Sequence, residues 1–356
     1  MAISALALIT GTGLGRGTAT GTADHGSALG HDTGSAPGHH TGTAAGHATG
    51  AATAAAAAAA AGVNHLDQRA THDNRRDSDH PGFDFVDPDG AHLGIRDLGV
   101  SRGDGIFETI GVAFGVPQAL EPHLTRFATS ASALDLPAPD ARVWRAAIAA
   151  VCAVLADEPE SFVKIVITRG VEGTGTPTGW AYGAVSADYS RERSDGVRIA
   201  ILDRGYRHDV THTAPWLLAG AKTLSYAVHT AALREADRRG ADDVIFVSSD
   251  GFVLEGPTST VIARIDGRLL TPGPGLPILA GTTQAAVFDI ASTLGIPTGF
   301  ALLSPSDLSR ADAAWLVSSV RHAAPIAAID GTPMPIDHAL TSTLNAALGS
   351  REGASA

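Results

Sequence analysis

The sequence predicts an α+β fold with antiparallel sheets, built from residue 82 onward and preceded by a long low-complexity segment. Three observations lead to this prediction. Short apolar runs are separated by turn sequences such as Ser249–Asp250–Gly251 and Asp266–Gly267, which are typical of β-hairpins. Segments with helical spacing are mixed with these hairpins, as in α+β folds. Up to about residue 81, large apolar residues are almost missing.

Residues 1–81 are predicted to form a disordered low-complexity tail and linker. Residues 1–62 are mostly Ala, Gly, Thr and His, and residues 63–81 are polar and charged. Such a segment cannot bury enough apolar surface to offset an ordering entropy of roughly 1–2 kcal/mol per residue. Its histidines show no spacing of a defined metal site, so no metal is expected. No basic segment precedes the mildly apolar start, which argues against a signal peptide.

The next elements are predicted from turn chemistry and apolar spacing. Residues 83–90 end in Asp-Pro-Asp-Gly, a strong turn, and are predicted as an opening hairpin. Residues 106–114 are apolar, end at a glycine and predict a strand. Residues 120–134 and 141–155 repeat apolar residues at helical spacing. Two further runs rich in Val and Ile predict strands, at 162–168 and 197–202.

The second half starts with a helix that Ser225 is predicted to cap and that ends at Arg239, before Gly240. Residues 243–248 and 252–255 flank a Ser-Asp-Gly turn and predict a hairpin. The remaining predicted elements are a hairpin at 260–265 and 268–270, a helix at 281–294 that opens with Gly-Thr-Thr, and a strand at 315–319.

Composition narrows the possible partners and the compartment. The net charge of −12 argues against nucleic acid and anionic membranes, both of which favour a basic face. No apolar run reaches the roughly 18 residues that a membrane span needs. A single cysteine, Cys152, excludes a disulfide framework and is typical of a reducing cytoplasm. A small-molecule substrate is the partner that remains.

Lysine is rare in this chain. Among 25 Lys plus Arg residues, only Lys164 and Lys222 are lysines. A lysine kept in such a chain indicates chemistry that arginine cannot perform, such as imine formation, because a guanidinium is never usefully deprotonated. Lys222 lies among small residues just before a helix, which leaves room for a flat ring. An ordinary exposed lysine is the alternative interpretation.

Glu255 and two candidate anion-binding groups have the residue types that would complete a cofactor site. Glu255 follows three apolar residues, so it is expected to be partly buried and to need a positive partner; the alternative is an edge-strand glutamate facing water. Thr282 and Thr283 follow Gly281 at a helix start, where free N–H groups and hydroxyls favour an anion. Arg126 could add a bidentate contact. Each feature alone is also compatible with ordinary structure.

Together these segments resemble the class IV aminotransferases, from Phe83 to about Ala347. The segments that carry the resemblance are 102–109 (RGDGIFET), 123–126 (HLTR), 222–226 (KTLSY), 240–246 with 251–255, and 278–283 (ILAGTT). The resemblance implies a pyridoxal-phosphate enzyme of fold type IV with a small N-terminal α/β domain (82–205) and a larger C-terminal domain (206–350). It also implies a homodimer that completes the site between them.

The resemblance further assigns site residues. Lys222 is implied as the catalytic Schiff-base lysine and Glu255 as the partner of the pyridine nitrogen. The other residues implied to hold the cofactor are Arg126, Tyr226, Thr258, Ser259, Leu279, Thr282, Thr283 and Ser319. Candidates for contact with the substrate are Arg102, Glu108, Arg169 and Arg321, and a structural salt bridge is the alternative for each arginine.

Within the family, residues 162–175 resemble aminodeoxychorismate lyase, which converts 4-amino-4-deoxychorismate to 4-aminobenzoate, a folate precursor, and pyruvate. An aminotransferase acting on D-amino acids or branched-chain amino acids is the alternative. The Arg-x-His pair of D-amino-acid transaminases is missing after Arg169–Gly170, and the branched-chain form of the N-terminal motif is not matched at 107–110. A degenerate relative without activity is a third interpretation, against which Lys222 and Glu255 argue.

Overall fold

Two β-sheets form the framework of the part of the chain that the structure describes. The structure is a computed structural model that describes residues 3–10, 14 and 82–350, all within one compact unit. Helices and strands are mixed along the chain, which confirms the predicted α+β class. The proposed division into domains at 205–206 stays a prediction.

The first sheet is entirely antiparallel, with the strand order β2-β1-β6-β5-β3-β4. Three helices accompany it. Its central strands are rich in Val, Ile and Phe. The large side chains Phe127 and Trp144 are fully buried against the sheet. The elements are β1 (Ser4–Ile9), β2 (Phe83–Val86), α1 (Leu98–Arg102), β3 (Gly105–Ala113), β4 (Val116–Pro117), α2 (Leu120–Ala133), α3 (Ala141–Val154), β5 (Ser161–Thr168) and β6 (Thr178–Val185).

The second sheet has the order β11-β10-β9-β12-β13-β7-β8, and β14 pairs with β13. Its elements are α4 (Ser190–Ser194), β7 (Val197–Asp203), α5 (Val210–Thr213), a 3₁₀ helix (Pro215–Leu217), α6 (Ala227–Arg238), β8 (Asp243–Val247), β9 (Thr260–Ile265), β10 (Arg268–Pro272), α7 (Thr282–Thr293), β11 (Thr298–Ala301), α8 (Pro305–Ser309), β12 (Ala313–Ser318), β13 (His322–Ile329), β14 (Thr332–Pro333) and α9 (His338–Gly349). Trp315 is fully buried at its centre.

The second sheet is mixed rather than antiparallel. β7 runs parallel to both β8 and β13, and β10 runs parallel to β11. The prediction of antiparallel sheets is therefore right for the first sheet and incomplete for the second. Hairpin turns reveal antiparallel neighbours in sequence, whereas parallel pairs need a long connection and leave no local turn signal.

The N-terminal residues contain the largest departure from the predictions. Ser4–Ile9 form β1, which pairs with β2 on one side and β6 on the other, so the prediction of disorder is wrong for these residues. Ala5, Ala7 and Ile9 are buried in this position. A neighbour on each side satisfies the strand's backbone groups, and such distant partners cannot be identified from local composition. The rest of the predicted tail, apart from Ile3, Thr10 and Leu14, lies outside the described residues.

Two smaller predictions are also corrected. β2 does form, but its partner is β1 and not a strand after the turn at residues 87–90. Ser225 does not cap α6: the helix begins after Tyr226, and the Ser225 hydroxyl donates to the carbonyl of Gly103 at 3.3 Å. Besides β1, the elements that were not predicted are α1, β4, β6, α4, α5, the 3₁₀ helix, β11, α8, β13, β14 and α9. Within the described residues, no helix combines the length and apolarity required to cross a bilayer.

Candidate active site

A cavity of ≈470 Å³ lies where the loops of the second sheet meet β3, β5 and α2. All of the residues predicted to hold the cofactor line it, together with one of the predicted substrate contacts. They are Arg126, Lys222, Tyr226, Glu255, Thr258, Ser259, Leu279, Thr282, Thr283, Ser319 and Arg321. The cavity size suits a small organic ligand with its cofactor. Arg102, Glu108 and Arg169 are not among its lining residues.

Lys222 is held in the cavity wall by backbone contacts on both sides of it. The N–H of Phe107 donates to the Lys222 carbonyl at 3.0 Å, and the Lys222 N–H donates to the Ser130 hydroxyl at 3.1 Å. Its Nζ lies 4.7 Å from the centroid of the Phe107 ring. Burial lowers the pKa of this amine to about 8, because an ammonium is poorly solvated there. A sizeable fraction of neutral, nucleophilic amine is therefore present near that pH.

The Glu255 carboxylate has no cationic partner among the described residues. Its Oε2 accepts one hydrogen bond, from the backbone N–H of Leu279 at 3.0 Å, and no salt bridge to it is found among the described residues. Burial raises the pKa of Glu255 to about 7. Desolvation of this size is relieved when a protonated nitrogen is placed against the carboxylate. The site therefore suits a ligand with a basic ring nitrogen.

The start of α7 forms an anion cradle. Gly281 is the N-cap and supplies no side-chain cap, so the first N–H groups of the helix are available to a ligand. The hydroxyls of Thr282, Thr283 and Ser319 line the same end of the cavity, with Thr283 Oγ1 and Ser319 Oγ 3.3 Å apart. A Cβ at Gly281 would lie 2.4 Å from Thr260 Oγ1, so this close approach requires glycine.

Arg126 reaches the cradle from α2 and is fixed by Glu108. Its Nε and Nη2 donate to the two Glu108 carboxylate oxygens at 2.6 and 2.7 Å, and its Nη1 donates to the Ala280 carbonyl at 2.8 Å. Burial alone would raise the pKa of Glu108, but hydrogen bonds from Arg126 and His123 outweigh it and hold the pKa at about 2. Glu108 was predicted to contact substrate; in this structure its fully buried carboxylate accepts hydrogen bonds from these two side chains instead.

Two of the predicted substrate arginines are engaged elsewhere. Arg102 is exposed and pairs with Glu172 at 3.3 Å. Arg169 donates to Asp104 at 2.7 Å and to the Leu134 carbonyl at 2.6 Å. Neither lines the cavity, so the structure supports the structural interpretation for both.

Arg321 does line the cavity. Its Nη2 donates to Asp243 at 2.7 Å, and its buried Nε has no hydrogen-bond partner among the described residues. It therefore remains a candidate for contact with substrate.

Sequence reasoning missed Lys164 as a lining residue. Its Nζ lies 4.7 Å from the centroid of the Phe107 ring, the same separation as for Lys222, and no carboxylate of the described residues pairs with it. Burial lowers the pKa of Lys164. The rarity of lysine in the chain was the signal for this residue, because both lysines point to one cavity.

Tyr226 is positioned by two aromatic neighbours that were also missed. Its ring packs edge-on against Phe107, with centroids 5.3 Å apart, and stacks on His229 at 4.6 Å. Its hydroxyl donates to the Pro257 carbonyl at 3.0 Å, so in this structure it contacts the cavity wall rather than pointing freely inward. Burial raises the pKa of Tyr226 to about 12 and lowers that of His229 to about 4, so both are neutral at physiological pH.

Comparison with known proteins identifies the family. The family model described as amino-transferase class IV matches residues 105–329. A Mycobacterium tuberculosis protein named bifunctional aminodeoxychorismate lyase / D-amino acid transaminase is 45% identical over 255 residues, which cover 68% of this chain and 88% of the relative.

Solved structures give the same family. A fold IV transaminase from Curtobacterium pusillum is 56% identical, with a TM-score of 0.74 over 76% of this chain and 92% of that chain. A hypothetical aminotransferase from Mycobacterium tuberculosis, solved in a pyridoxal-phosphate-bound form, is 41% identical with a TM-score of 0.71, covering 74% of this chain and 95% of that chain.

Proposed function

The chain belongs to the class IV aminotransferases, a family of pyridoxal-phosphate enzymes, and on that premise we propose that it cleaves 4-amino-4-deoxychorismate to 4-aminobenzoate and pyruvate. In this proposal, different lining residues hold the cofactor, supply the amine and bind the substrate. It is supported by the cavity, by the relative named for this lyase activity, and by the sequence likeness of residues 162–175 to such lyases.

The lining residues fit pyridoxal phosphate. Glu255 is a buried carboxylate in need of a protonated nitrogen, as the pyridine ring would provide. The start of α7, with the hydroxyls of Thr283 and Ser319, suits the phosphate, and Lys222 supplies the amine. Leu279 would pack against the ring, and Tyr226 would lie near its hydroxyl oxygen. When bound, the cofactor supplies an electron sink for the carbon that carries the substrate nitrogen.

The chain's own groups would move one proton. The Lys222 amine takes the proton from the substrate carbon that bears nitrogen, while Glu255 holds a proton on the ring nitrogen. The carbon–oxygen bond to the enolpyruvyl group then breaks, and Lys222 returns its proton to the methylene carbon of that group, which leaves as pyruvate. The remaining ring is aromatic 4-aminobenzoate, so all atoms of the substrate are accounted for.

The unpaired ammonium of Lys164 gives the strongest support for the lyase reaction. The substrate of the lyase reaction has two carboxylates, one on the ring and one on the enolpyruvyl group. Lys164 lines the cavity beside Phe107 and has no carboxylate partner among the described residues, so an anionic ligand group would satisfy it. Arg321, with its unpartnered Nε, is a second cation for the other carboxylate. Charge complementarity therefore favours a dianionic substrate.

Transamination of D-amino acids is the second candidate. The relative at 45% identity is named for both activities, and a structure at 56% identity is described as a transaminase. In that reaction Lys222 would return its proton to the cofactor rather than to a leaving group, so the same lining residues serve both reactions. Branched-chain amino acids remain the third class to test.

The test supplies the purified protein with 4-amino-4-deoxychorismate and follows 4-aminobenzoate and pyruvate. We expect both products in equal amounts without an added keto acid. D-alanine with 2-oxoglutarate, and a branched-chain amino acid with the same acceptor, form the comparison. Keto-acid formation from either amino acid without any 4-aminobenzoate from the first substrate would replace the lyase assignment by a transaminase one.

We also propose that the protein is a cytoplasmic homodimer. The buried, unpaired thiol of Cys152 agrees with a reducing compartment. Large apolar side chains are exposed in the single chain, with Ile95 at 88%, Trp216 at 73% and Phe114 at 65% exposure, and a second protomer would cover such surface. Sedimentation equilibrium should give twice the chain mass of 36.1 kDa; a monomer at micromolar concentration would remove this part of the proposal.

A further inference from the structure

A buried histidine lies directly beneath the anion cradle. His123, on α2, is 1% exposed, and its Nδ1 is 2.8 Å from Glu108 Oε2. On the other side of the ring, Nε2 is 3.2 Å from Ser319 Oγ and 3.3 Å from Thr282 Oγ1. The imidazole thus connects an internal carboxylate to two hydroxyls that line the cavity.

The Glu108 contact fixes which ring nitrogen carries hydrogen. Glu108 is ionised at all physiological pH values, so its oxygens only accept hydrogen bonds. His123 Nδ1 must therefore carry the N–H that donates to Oε2. Burial lowers the pKa of His123, so without a ligand the ring is neutral and Nε2 has only a lone pair.

The Ser319 and Thr282 hydroxyls then have too few hydrogens to donate both to Nε2 and to a phosphate. Each hydroxyl has one hydrogen to donate. A neutral His123 draws the hydrogen of Ser319 or Thr282 toward Nε2, so that this hydroxyl presents oxygen lone pairs to the cavity. A phosphate in the cradle accepts hydrogen bonds and would be repelled by those lone pairs. If Nε2 carries a proton instead, it donates to the hydroxyl oxygens and both hydroxyl hydrogens can face the phosphate.

We propose that His123 takes up a proton when the phosphate group of the cofactor enters the cradle, and that the resulting imidazolium orients the Ser319 and Thr282 hydroxyls as donors. His123 is thus a positioning residue that acts through these hydroxyls and Glu108. This inference requires only that the phosphate binds at the start of α7. It holds equally for a lyase and for a transaminase.

The charged groups around His123 determine whether its ring is neutral or protonated. Glu108 on β3 favours the imidazolium, whereas Arg126 on α2 and Lys222 oppose it. His322 on β13 lines a small pocket with His123, and burial lowers its pKa to about 4, so it adds no charge near neutral pH. A phosphate dianion beside Ser319 supplies the negative charge that shifts this balance toward the protonated ring.

The proton uptake has a defined pH dependence. Binding raises the pKa of His123, so affinity is greatest at low pH and falls as pH increases between the pKa of the free form and that of the bound form. Because one proton is taken up per ligand in this window, each increase of one pH unit weakens binding about tenfold.

The test is calorimetry on the full chain freed of cofactor, with pyridoxamine 5′-phosphate as the probe. This ligand has the phosphate but no aldehyde, so it binds without a covalent bond to Lys222. Titration at about pH 7.5 in two buffers of different ionisation enthalpy counts the protons taken up on binding. Lys222 and Glu255 also titrate near this pH, so the readout is the difference between the wild type and a His123 variant.

His123→Gln is the variant of choice, because its amide can donate to the hydroxyls without taking up a proton. We expect it to bind the probe with about one proton fewer than the wild type and without the added pH dependence. His123→Leu, which has no donor, should bind at least tenfold more weakly than His123→Gln. Equal proton uptake by the wild type and His123→Gln would overturn the inference.

A third variant checks where the phosphate lies. Thr283→Val removes a cradle hydroxyl that approaches Ser319 Oγ at 3.3 Å but has no hydrogen bond to His123, and it keeps both Nε2 contacts, so it should weaken the probe while the protein still takes up the His123 proton. Unaltered affinity in Thr283→Val would show that the phosphate binds elsewhere, which overturns both the inference and the proposed cradle. Absence of binding by the wild type would instead contradict the assignment of the cofactor site.

Discussion

Burial gives Lys222 and Glu255 the properties that the proposed chemistry needs. Each lines the same cavity, and burial moves the pKa of the amine down to about 8 and that of the carboxylate up to about 7. The sequence predicted both residues because each lies in a recognisable local motif. It could not predict that Glu108, Arg102 and Arg169 do not line the cavity, because their partners come from distant segments.

Replacement of Glu255 by Gln should separate cofactor binding from turnover. Gln keeps the size and an acceptor for the Leu279 N–H but cannot keep the ring nitrogen protonated. We expect the cofactor absorbance band to persist and kcat to fall about 100- to 1000-fold. Glu235→Gln, on the surface of α6, is the matched control and should leave kcat unchanged. A Glu255→Gln protein with full kcat would contradict the proposed role.

Replacement of Lys164 by Met tests the charge that supports the lyase assignment. Met retains the length and apolar stem but removes the ammonium beside Phe107. A lost hydrogen bond to a charged group costs about 1.5–3 kcal/mol, so KM for 4-amino-4-deoxychorismate should rise roughly 10- to 150-fold. Lys164→Arg should recover part of the loss. Unchanged lyase kinetics in Lys164→Met would show that Lys164 holds no substrate carboxylate.

The Glu108 carboxylate should make stability depend on pH. Its pKa is about 2 in the folded protein, against an ordinary value of 4.5 for a glutamate in an unfolded chain. The contribution, about 3 kcal/mol by linkage, is therefore present above about pH 4.5 and is lost as pH falls toward 2. Urea unfolding between pH 5 and pH 3 should show roughly half of this loss, because the rest is lost only as pH approaches 2. Glu108→Gln should flatten the curve in that range, whereas Glu121→Gln, an exposed pair with Arg145, should follow the wild type.

β1 shows why one element escaped prediction while α7 did not. The start of α7 was predicted from Gly281 and the two threonines after it, which are local signals. β1 is made of small and aliphatic residues within a low-complexity region, and it is defined by its pairing with β2 and β6. The parallel neighbours of β7 were missed for the same reason.

Removal of residues 1–10 should destabilise the protein. β1 pairs on both edges and buries Leu6 and Ile9, and each such side chain contributes about 1.5–3 kcal/mol. We expect a loss of at least about 3 kcal/mol in the free energy of unfolding, measured by urea denaturation.

The matched comparison replaces residues 18–75 with a short Gly-Ser linker and keeps Leu14, whose side chain is buried in the core of the first sheet. The N–H of Thr10 donates to the Gly82 carbonyl at 2.8 Å, so the two ends already meet. If this segment is only a connection, shortening it should leave the free energy of unfolding equal or higher, because each halving of a loop lowers the closure cost by about 0.6 kcal/mol. If this replacement lowers the free energy of unfolding more than the loss of β1 does, the segment is not merely a connection and this interpretation is contradicted.

The molecule as a whole brings its two lysines to one cavity. Lys164 comes from β5 of the first sheet, and Lys222 comes from the segment that precedes α6, which hydrogen-bonds to β3 of the same sheet. Both ammonium groups lie 4.7 Å from the same aromatic ring. Only one of them can be the amine that joins the cofactor in the proposed arrangement, and the other is assigned to substrate.

Borohydride reduction of the protein with its cofactor bound, followed by peptide mass mapping, identifies which of the two lysines joins the cofactor. Reduction fixes the cofactor to the lysine that holds it. We expect the added mass on the peptide that contains Lys222, and none on the peptide that contains Lys164. An adduct on Lys164, or on neither lysine, would contradict the assignment on which the proposed function depends.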